Sequence, residues 1–186
     1  MTQDEKTVVA LTTAELSGFV TTATSEVFSM MLGVEAAAGE AFVQTTATAP
    51  ASGIVSLVGL AGDWVGTGSI SCSAPLACRI SSLMLMAEYP GVNDEVLDAV
   101  AELTNMIIGN VKTALEERLG PMGLSVPTVI FGRNFQTRNA GNHEWVVVPF
   151  KCEDESLYVQ LSLMPSRDTS QKTTRPGFPM PHMLTL

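Results

Sequence analysis

Two side chains three positions apart, Glu102 and Asn105, form a pair that could act together in chemistry. A carboxamide offers both a hydrogen-bond donor and an acceptor, whereas a carboxylate accepts hydrogen bonds and pairs with cations. Residues at this spacing project from the same side of a helix. The pair is therefore a candidate contact site, although a Glu-x-x-Asn spacing alone is also typical of an ordinary solvated helix surface.

The surrounding sequence predicts one long amphipathic helix from residue 94 to residue 119. Asn93 is a suitable N-cap, Asp94 and Glu95 favour the positive end of the helix dipole, and Gly120-Pro121 would end the helix. Apolar residues fall on one broad face that is predicted to be core, and these are Val96, Leu97, Val100, Leu103, Ile107, Ile108, Val111 and Leu115.

The other side of this helix carries a polar stripe, formed by Asp98, Glu102, Asn105, Gly109, Lys112 and Glu116. Asn105 and Gly109 are weak helix formers that together cost roughly 1–2 kcal/mol relative to Ala. Gly109 also leaves a flat place one turn beyond Asn105, where the backbone of another protein could approach. Asp98, Gly109 and Lys112 are therefore predicted to contact a partner, although a solvated surface charge explains Lys112 equally well.

Two more helices are predicted from the remaining apolar periodicity. The first runs from Ala14 to Leu32 and is ended by Gly33. The second begins at Pro75, after Ser73, and continues until Tyr89-Pro90-Gly91 stops it. The methionines Met30, Met31, Met84, Met86 and Met106 are interpreted as core and interface filler.

Short β-branched segments between turn residues predict six strands, at residues 41–50, 52–64, 65–73, 125–135, 144–153 and 156–164. Turns are expected at residues 49–53, 62–63, 136–142 and 154–155. The order is helix, three strands, two helices, three strands. It predicts an α+β fold in which the helices lie together on one face of a largely antiparallel sheet.

Composition limits the classes of function. The 186 residues are 46% hydrophobic, which favours one domain over residues 1–164 followed by a flexible Pro/Ser/Thr-rich tail over 165–186. A net charge of -9 argues against nucleic-acid binding. No apolar run is long enough to span a membrane and the first residues do not resemble a signal peptide, so a cytoplasmic protein is expected.

The remaining reactive side chains predict no further site. Cys72, Cys78 and Cys152 are expected to be buried, reduced thiols. His143 and His182 have no partners at a ligand-like spacing, so no metal site is expected.

The segment Glu102-Leu-Thr-Asn105-Met-Ile-Ile-Gly109-Asn110 resembles the Glu-x-x-Asn signature of the CheX/CheC/FliY phosphatases of bacterial chemotaxis. Residues 62–86 are similar to that family's glycine-bounded strand leading into a helix, and residues 27–33 resemble the end of its first helix. The resemblance covers about residues 15 to 163. Glu-x-x-Asn occurs once in the chain, which points to the CheX branch, whose members tend to pair as homodimers through their sheets.

The resemblance implies a phosphatase that acts on the aspartyl phosphate of a CheY-type response regulator. Asn105 would orient the attacking water, and Glu102 would pair with the regulator's active-site lysine. The Mg²⁺ of the reaction would belong to the regulator, and this chain would bring no cofactor. Two alternatives are a non-catalytic dimeric binding module of the same fold and a structural protein of the flagellar switch, whose middle domains share this topology but lack the Glu-x-x-Asn pair.

Overall fold

The computed structural model describes residues 11–45, 52–133, 135 and 144–166. Helix α1 spans Thr13–Val27 and continues into a π-helical turn, Phe28–Leu32, which is called the π turn below. Gly33, in the left-handed conformation at φ 65°, ends this helical stretch, as predicted. Helix α2 spans Ala74–Leu85 and helix α3 spans Asp94–Leu119.

The described part of the chain forms one antiparallel sheet of eight strands. These are β1 (Ala37–Ala38), β2 (Phe42–Gln44), β3 (Ser52–Gly62), β4 (Trp64–Cys72), β5 (Met122–Leu124), β6 (Thr128–Arg133), β7 (Trp145–Cys152) and β8 (Glu155–Pro165). Their order is β1-β7-β8-β4-β3-β5, with β2 also paired to β7 and β6 also paired to β3. The predicted α+β class with an antiparallel sheet is confirmed.

The helices and one face of the sheet share a single apolar core. Helix α3 packs against β3 and β4, and it also packs against α1 and α2. Fully buried side chains from both layers meet there, among them Val20, Phe28, Leu103, Ile107, Ile54, Ile70, Phe150 and Val159. Burying this apolar area fixes which side of α3 faces the sheet.

Gly68 on β4 sets how closely α3 approaches the sheet. A Cβ atom added to Gly68 would lie 2.6 Å from Cδ1 of Ile108, so the Ile108 side chain occupies the space that a larger residue would need. Ile108 is itself fully buried. This contact positions the middle of α3 over the centre of the sheet.

Each helix starts at a side-chain cap. Thr12 and Glu15 form a reciprocal capping box at α1, Ser73 accepts from the Leu76 N–H at α2, and Asn93 accepts from the Val96 N–H at α3. These caps satisfy backbone donors that the first helical turn leaves unpaired. The predicted N-cap at Asn93 is confirmed, and α2 begins at Ala74, one residue before the predicted Pro75.

Several predicted boundaries are wrong. Helix α2 ends at Leu85 rather than at Tyr89, because Met86 adopts the left-handed conformation and reverses the chain. The turn between β7 and β8 lies at Glu153 and Asp154, one residue earlier than predicted. Strands β1 and β5 were not predicted, since two or three residues are too few to show an alternating pattern.

Two of the sequence predictions lie largely or wholly outside the described residues. Strand β8 extends to Pro165, one residue past the predicted domain boundary, and residues 167–186 of the predicted tail are not described. The predicted turn at residues 136–142 also lies outside the described part of the chain. Among the residues that are described, no helix is long and apolar enough to cross a membrane.

Candidate functional site

The candidate pair lies on the outward side of α3. Leu103 and Ile107, on the opposite side of the same turns, are fully buried. Glu102 is exposed and Asn105 is half-buried at the edge of the helix face. Side chains three positions apart on a helix have Cβ atoms about 5–6 Å apart, so one partner group can contact both.

The backbone that carries the pair is well supported. The Thr104 side chain is fully buried, and its hydroxyl donates to the Val100 carbonyl at 2.7 Å. Within the described part of the chain, neither Glu102 nor Asn105 makes a side-chain hydrogen bond or ion pair. The carboxylate and the carboxamide thus sit on a rigid helix with their polar atoms available to a ligand.

The predicted flanking residues occupy different surroundings. Asp98 is exposed one turn before Glu102 and shares its face. Gly109 is half-buried beside β5, where an added Cβ atom would lie 3.7 Å from Cδ1 of Leu124, an ordinary van der Waals distance. The flat place at Gly109 is therefore bordered by the chain's own β5 strand, and Gly109 is not required by packing within the chain.

Lys112 is held by contacts within the chain. Its ammonium group lies 2.6 Å from Oε2 of Glu116, and Oε1 of Glu116 accepts from the Met122 N–H at 2.8 Å. The Lys112 hydrogen bond and then the Met122 N–H hold the pKa of Glu116 below its ordinary range. These contacts join the end of α3 to the start of β5, so the structure gives Lys112 a role in stability in addition to any contact with a partner.

Asn110 faces away from the stripe. It lines an open groove of about 900 Å³ between α1 and α3, together with Phe19, Thr22, Glu26 and Ala114. Its position there separates it from Glu102 and Asn105. Asn110 is therefore a matched comparison for Asn105, because it is the same residue type on the same helix but faces another surface.

The exposure of three methionines is the feature that sequence reasoning missed. Met30 is 81% exposed, Met31 50% and Met86 93%, so the interpretation of these three as core filler is wrong, while their interpretation as interface filler stays a prediction. The interpretation holds better for Met84 and Met106, which pack against the core. Hydrophobicity alone predicts burial, whereas the end of α2 at Met86 turns this side chain outward.

Two of the three thiols that were predicted to be buried, Cys72 and Cys78, are buried, whereas Cys152 is only half-buried because it ends strand β7 at the turn to β8. Cys72, Cys78 and Cys152 are free cysteines, and burial raises the pKa of Cys72 to about 12 and that of Cys152 to about 11. Burial also raises the pKa of Cys78. Thiols with raised pKa values are poor nucleophiles at neutral pH. Among the described residues, no group of three His, Cys, Asp or Glu side chains could hold a metal ion.

The fold is that of solved chemotaxis proteins of the CheX type. The chemotaxis protein CheX from Desulfovibrio desulfuricans superposes with a TM-score of 0.72 at 26% identity, over 81% of this chain and 99% of that one. A CheX–CheY–BeF3–Mg²⁺ complex from Borrelia burgdorferi superposes with a TM-score of 0.67 at 28% identity, over 80% of this chain and 97% of that one.

Sequence comparison identifies the family. The family model described as chemotaxis phosphatase CheX matches residues 54–151, which include Glu102 and Asn105. The CheY-P phosphatase CheX of Thermotoga maritima is 29% identical over 112 residues, 60% of this chain and 72% of that protein. This chain belongs to the CheX family of chemotaxis phosphatases.

Proposed function

We propose that this protein hydrolyses the aspartyl phosphate of a CheY-type response regulator. The observation that supports it is the outward placement of Glu102 and Asn105 on a helix whose opposite face is fully buried. Two further findings agree with it: a CheX relative is named as a CheY-P phosphatase, and another relative has been solved as a complex with CheY.

The reaction needs positioning more than covalent chemistry. A water oxygen attacks phosphorus in line with the leaving aspartate oxygen, so that inorganic phosphate forms and the aspartate carboxylate is restored. The Asn105 carboxamide can accept a hydrogen bond from this water and donate one to a phosphoryl oxygen. It does so without changing charge, so its proposed role is to orient the water.

Glu102 is proposed to dock the partner. Its carboxylate is exposed one turn before Asn105, where it can form a charge-assisted hydrogen bond with a lysine beside the phosphorylated aspartate. The Mg²⁺ of the reaction is proposed to be held by the acidic pocket of the regulator, where carboxylate oxygens and phosphate can share it. This chain would supply no cofactor.

The test replaces Asn105 and its matched comparison, Asn110. With Asn105→Ala, phosphate release from a phosphorylated receiver domain should fall about 100-fold, the scale expected when a reacting group loses its positioning. Binding of a beryllofluoride-loaded receiver should change little, because Glu102 remains. Asn110→Ala should leave turnover unchanged, and equal losses from both substitutions would contradict the assignment of Asn105.

We also propose that the protein pairs as a homodimer through its sheet. The edge strands expose large apolar side chains, since Phe131 on β6 is 50% exposed and Phe42 and Val43 on β2 are 41% and 44% exposed. Unprotected apolar edges favour strand pairing between copies. Light scattering should give twice the chain mass of 19.7 kDa, and a monomer at all concentrations would contradict the proposal.

A further inference from the structure

Five large apolar side chains are exposed on the π turn and on the last turn of α2. We call them the methionine platform, defined as Met30, Met31, Leu83, Leu85 and Met86. None of the five carries a charge, and Met30 and Met86 have 81% and 93% of their area exposed. Clustered apolar exposure of this kind marks contact surfaces more often than single exposed residues do.

The α1 part of the platform lies at the same end of the helical layer as the candidate pair. Helix α1 runs antiparallel to α3, since Glu15 near the start of α1 pairs with Arg118 near the end of α3. The π turn follows the other end of α1, so it lies towards the N-terminal half of α3, which carries Glu102 and Asn105. Met30 and Met31 are therefore at the same end of the domain as the pair.

The α2 part of the platform lies at the start of α3. The Ser81 hydroxyl is 3.5 Å from the Val96 carbonyl, which places the last turns of α2 against the first turn of α3. The π turn also packs against α2. Val96 precedes Glu102 by six residues, or about 9 Å along the axis of α3, so the end of α2 lies near the N-terminal end of the helix that carries the pair.

Two backbone features support a role for this surface in contact with another molecule. The α1 helix changes to π geometry over the residues that present Met30 and Met31, and such turns occur often at functional sites. Met86 occupies the left-handed region at φ 51° and ψ 40°, where glycine or asparagine is the common residue. Its almost fully exposed side chain gains little packing in this chain that would favour methionine there.

The pair on α3 is too small to hold a protein partner alone. A specific interface buries roughly 800 Å² on each side, far more than two side chains on one helix provide. The partner must therefore also cover what lies next to the pair, and the methionine platform is apolar area in that position. Methionine side chains adapt to irregular surfaces, which suits them to docking.

We propose that the methionine platform is the second part of the docking surface for the receiver domain that presents its phosphorylated pocket to Glu102 and Asn105. The platform contacts an apolar surface beside that pocket and contributes affinity, while the pair on α3 carries the chemistry. The identity of the partner rests on the proposed function. The location and apolar character of the docking surface rest on the geometry above.

The kinetic test uses the full chain with Met30→Glu and Met86→Glu combined. Both side chains are exposed, so the variant should fold normally. KM for the phosphorylated receiver should rise at least about tenfold, the effect of losing one well-packed interface contact. The kcat at saturating receiver should change less than about twofold, because the reacting groups are untouched. A separate variant with Met30→Leu and Met86→Leu should keep the wild-type KM, since both positions remain apolar.

Ala14→Glu is the matched control, because Ala14 is exposed and apolar but lies in the first turn of α1, at the end opposite the π turn. It should leave KM unchanged. An unchanged KM in the Met30→Glu and Met86→Glu variant would overturn the proposal, and so would an equal rise in the Ala14→Glu variant.

Calorimetric titration with a beryllofluoride-loaded receiver separates docking from catalysis. The wild-type chain should bind, and the double glutamate variant should bind at least about tenfold more weakly. Binding with this pattern but without phosphate release would refute the proposed function and leave the docking surface intact. Equal affinities for wild type and variant, or no binding by either, would overturn the inference about the platform.

Discussion

The structure predicts opposite effects of the same substitution at two glycines. Gly109 lies in the interior of α3, and a Cβ atom there would meet only Cδ1 of Leu124, at 3.7 Å. Glycine in a helix interior costs about 0.8–1.0 kcal/mol relative to alanine. Gly109→Ala should therefore raise the free energy of unfolding by about 1 kcal/mol, which raises Tm by about 2–4 °C for a domain of this size.

Gly68→Ala should have the opposite sign. The new Cβ atom would lie 2.6, 2.7 and 2.8 Å from three side-chain carbons of Ile108, which is fully buried and cannot move away freely. Such overpacking costs about 1–3 kcal/mol. Urea denaturation of both variants measures the two effects against wild type. A destabilised Gly109→Ala variant, or a Gly68→Ala variant as stable as wild type, would refute the packing described for α3.

The Gly109→Ala variant also tests the predicted approach of a partner. If the backbone of a receiver domain packs against this part of α3, the added methyl group should raise KM even though the protein itself is more stable. A more stable variant with unchanged KM would show that Gly109 does not contact the partner. The variant is expected to be more stable and yet to have a higher KM, so partial unfolding cannot explain a rise in KM.

Three further predictions concern caps, protonation and thiols. Asn93→Ala removes the acceptor 3.0 Å from the Val96 N–H and should lower the free energy of unfolding by about 1 kcal/mol in urea denaturation. The Arg118 hydrogen bond and then the Thr12 N–H lower the pKa of Glu15 from 4.5 to about 2. The contribution of the Glu15 carboxylate to stability is therefore present above pH 4.5 and is lost as the pH falls towards 2. In acid denaturation, the Glu15→Gln variant should lose less stability over this pH range than wild type does. Iodoacetamide at neutral pH should label Cys72 only after unfolding, because the thiol is buried and its pKa is about 12, and rapid labelling of the folded protein would contradict this.

The long helix and its polar side could be predicted because their signals are local. Asn93 caps α3, Gly120 follows its last residue, and the apolar period between them agrees with the observed buried face. Glu102 and Asn105 share a side for the same reason. No tertiary information was needed to place them together.

Other features depend on contacts that a single segment does not contain. The pairing of Lys112 with Glu116 is reinforced by the Met122 N–H, which is available only because β5 returns to α3. The end of α2 was predicted too late because the apolar pattern continues past Leu85, while the left-handed Met86 stops the helix. Periodicity cannot distinguish an apolar row that enters the core from one that faces outward.

The hydrogen bond from the Ser166 N–H to the Asp63 carbonyl, at 2.8 Å, fixes the position of Ser166. This position shows where a reporter protein could be attached. Asp63 lies beside Gly120, just past the end of α3, since an added Cβ atom on Gly120 would be 3.9 Å from a carboxylate oxygen of Asp63. Glu102 is 17 residues before Leu119, or about 25 Å along the helix axis. A fluorescent fusion joined after Ser166 would therefore leave the chain at the end of the domain opposite the candidate pair, which suits live-cell imaging without obstruction of that surface.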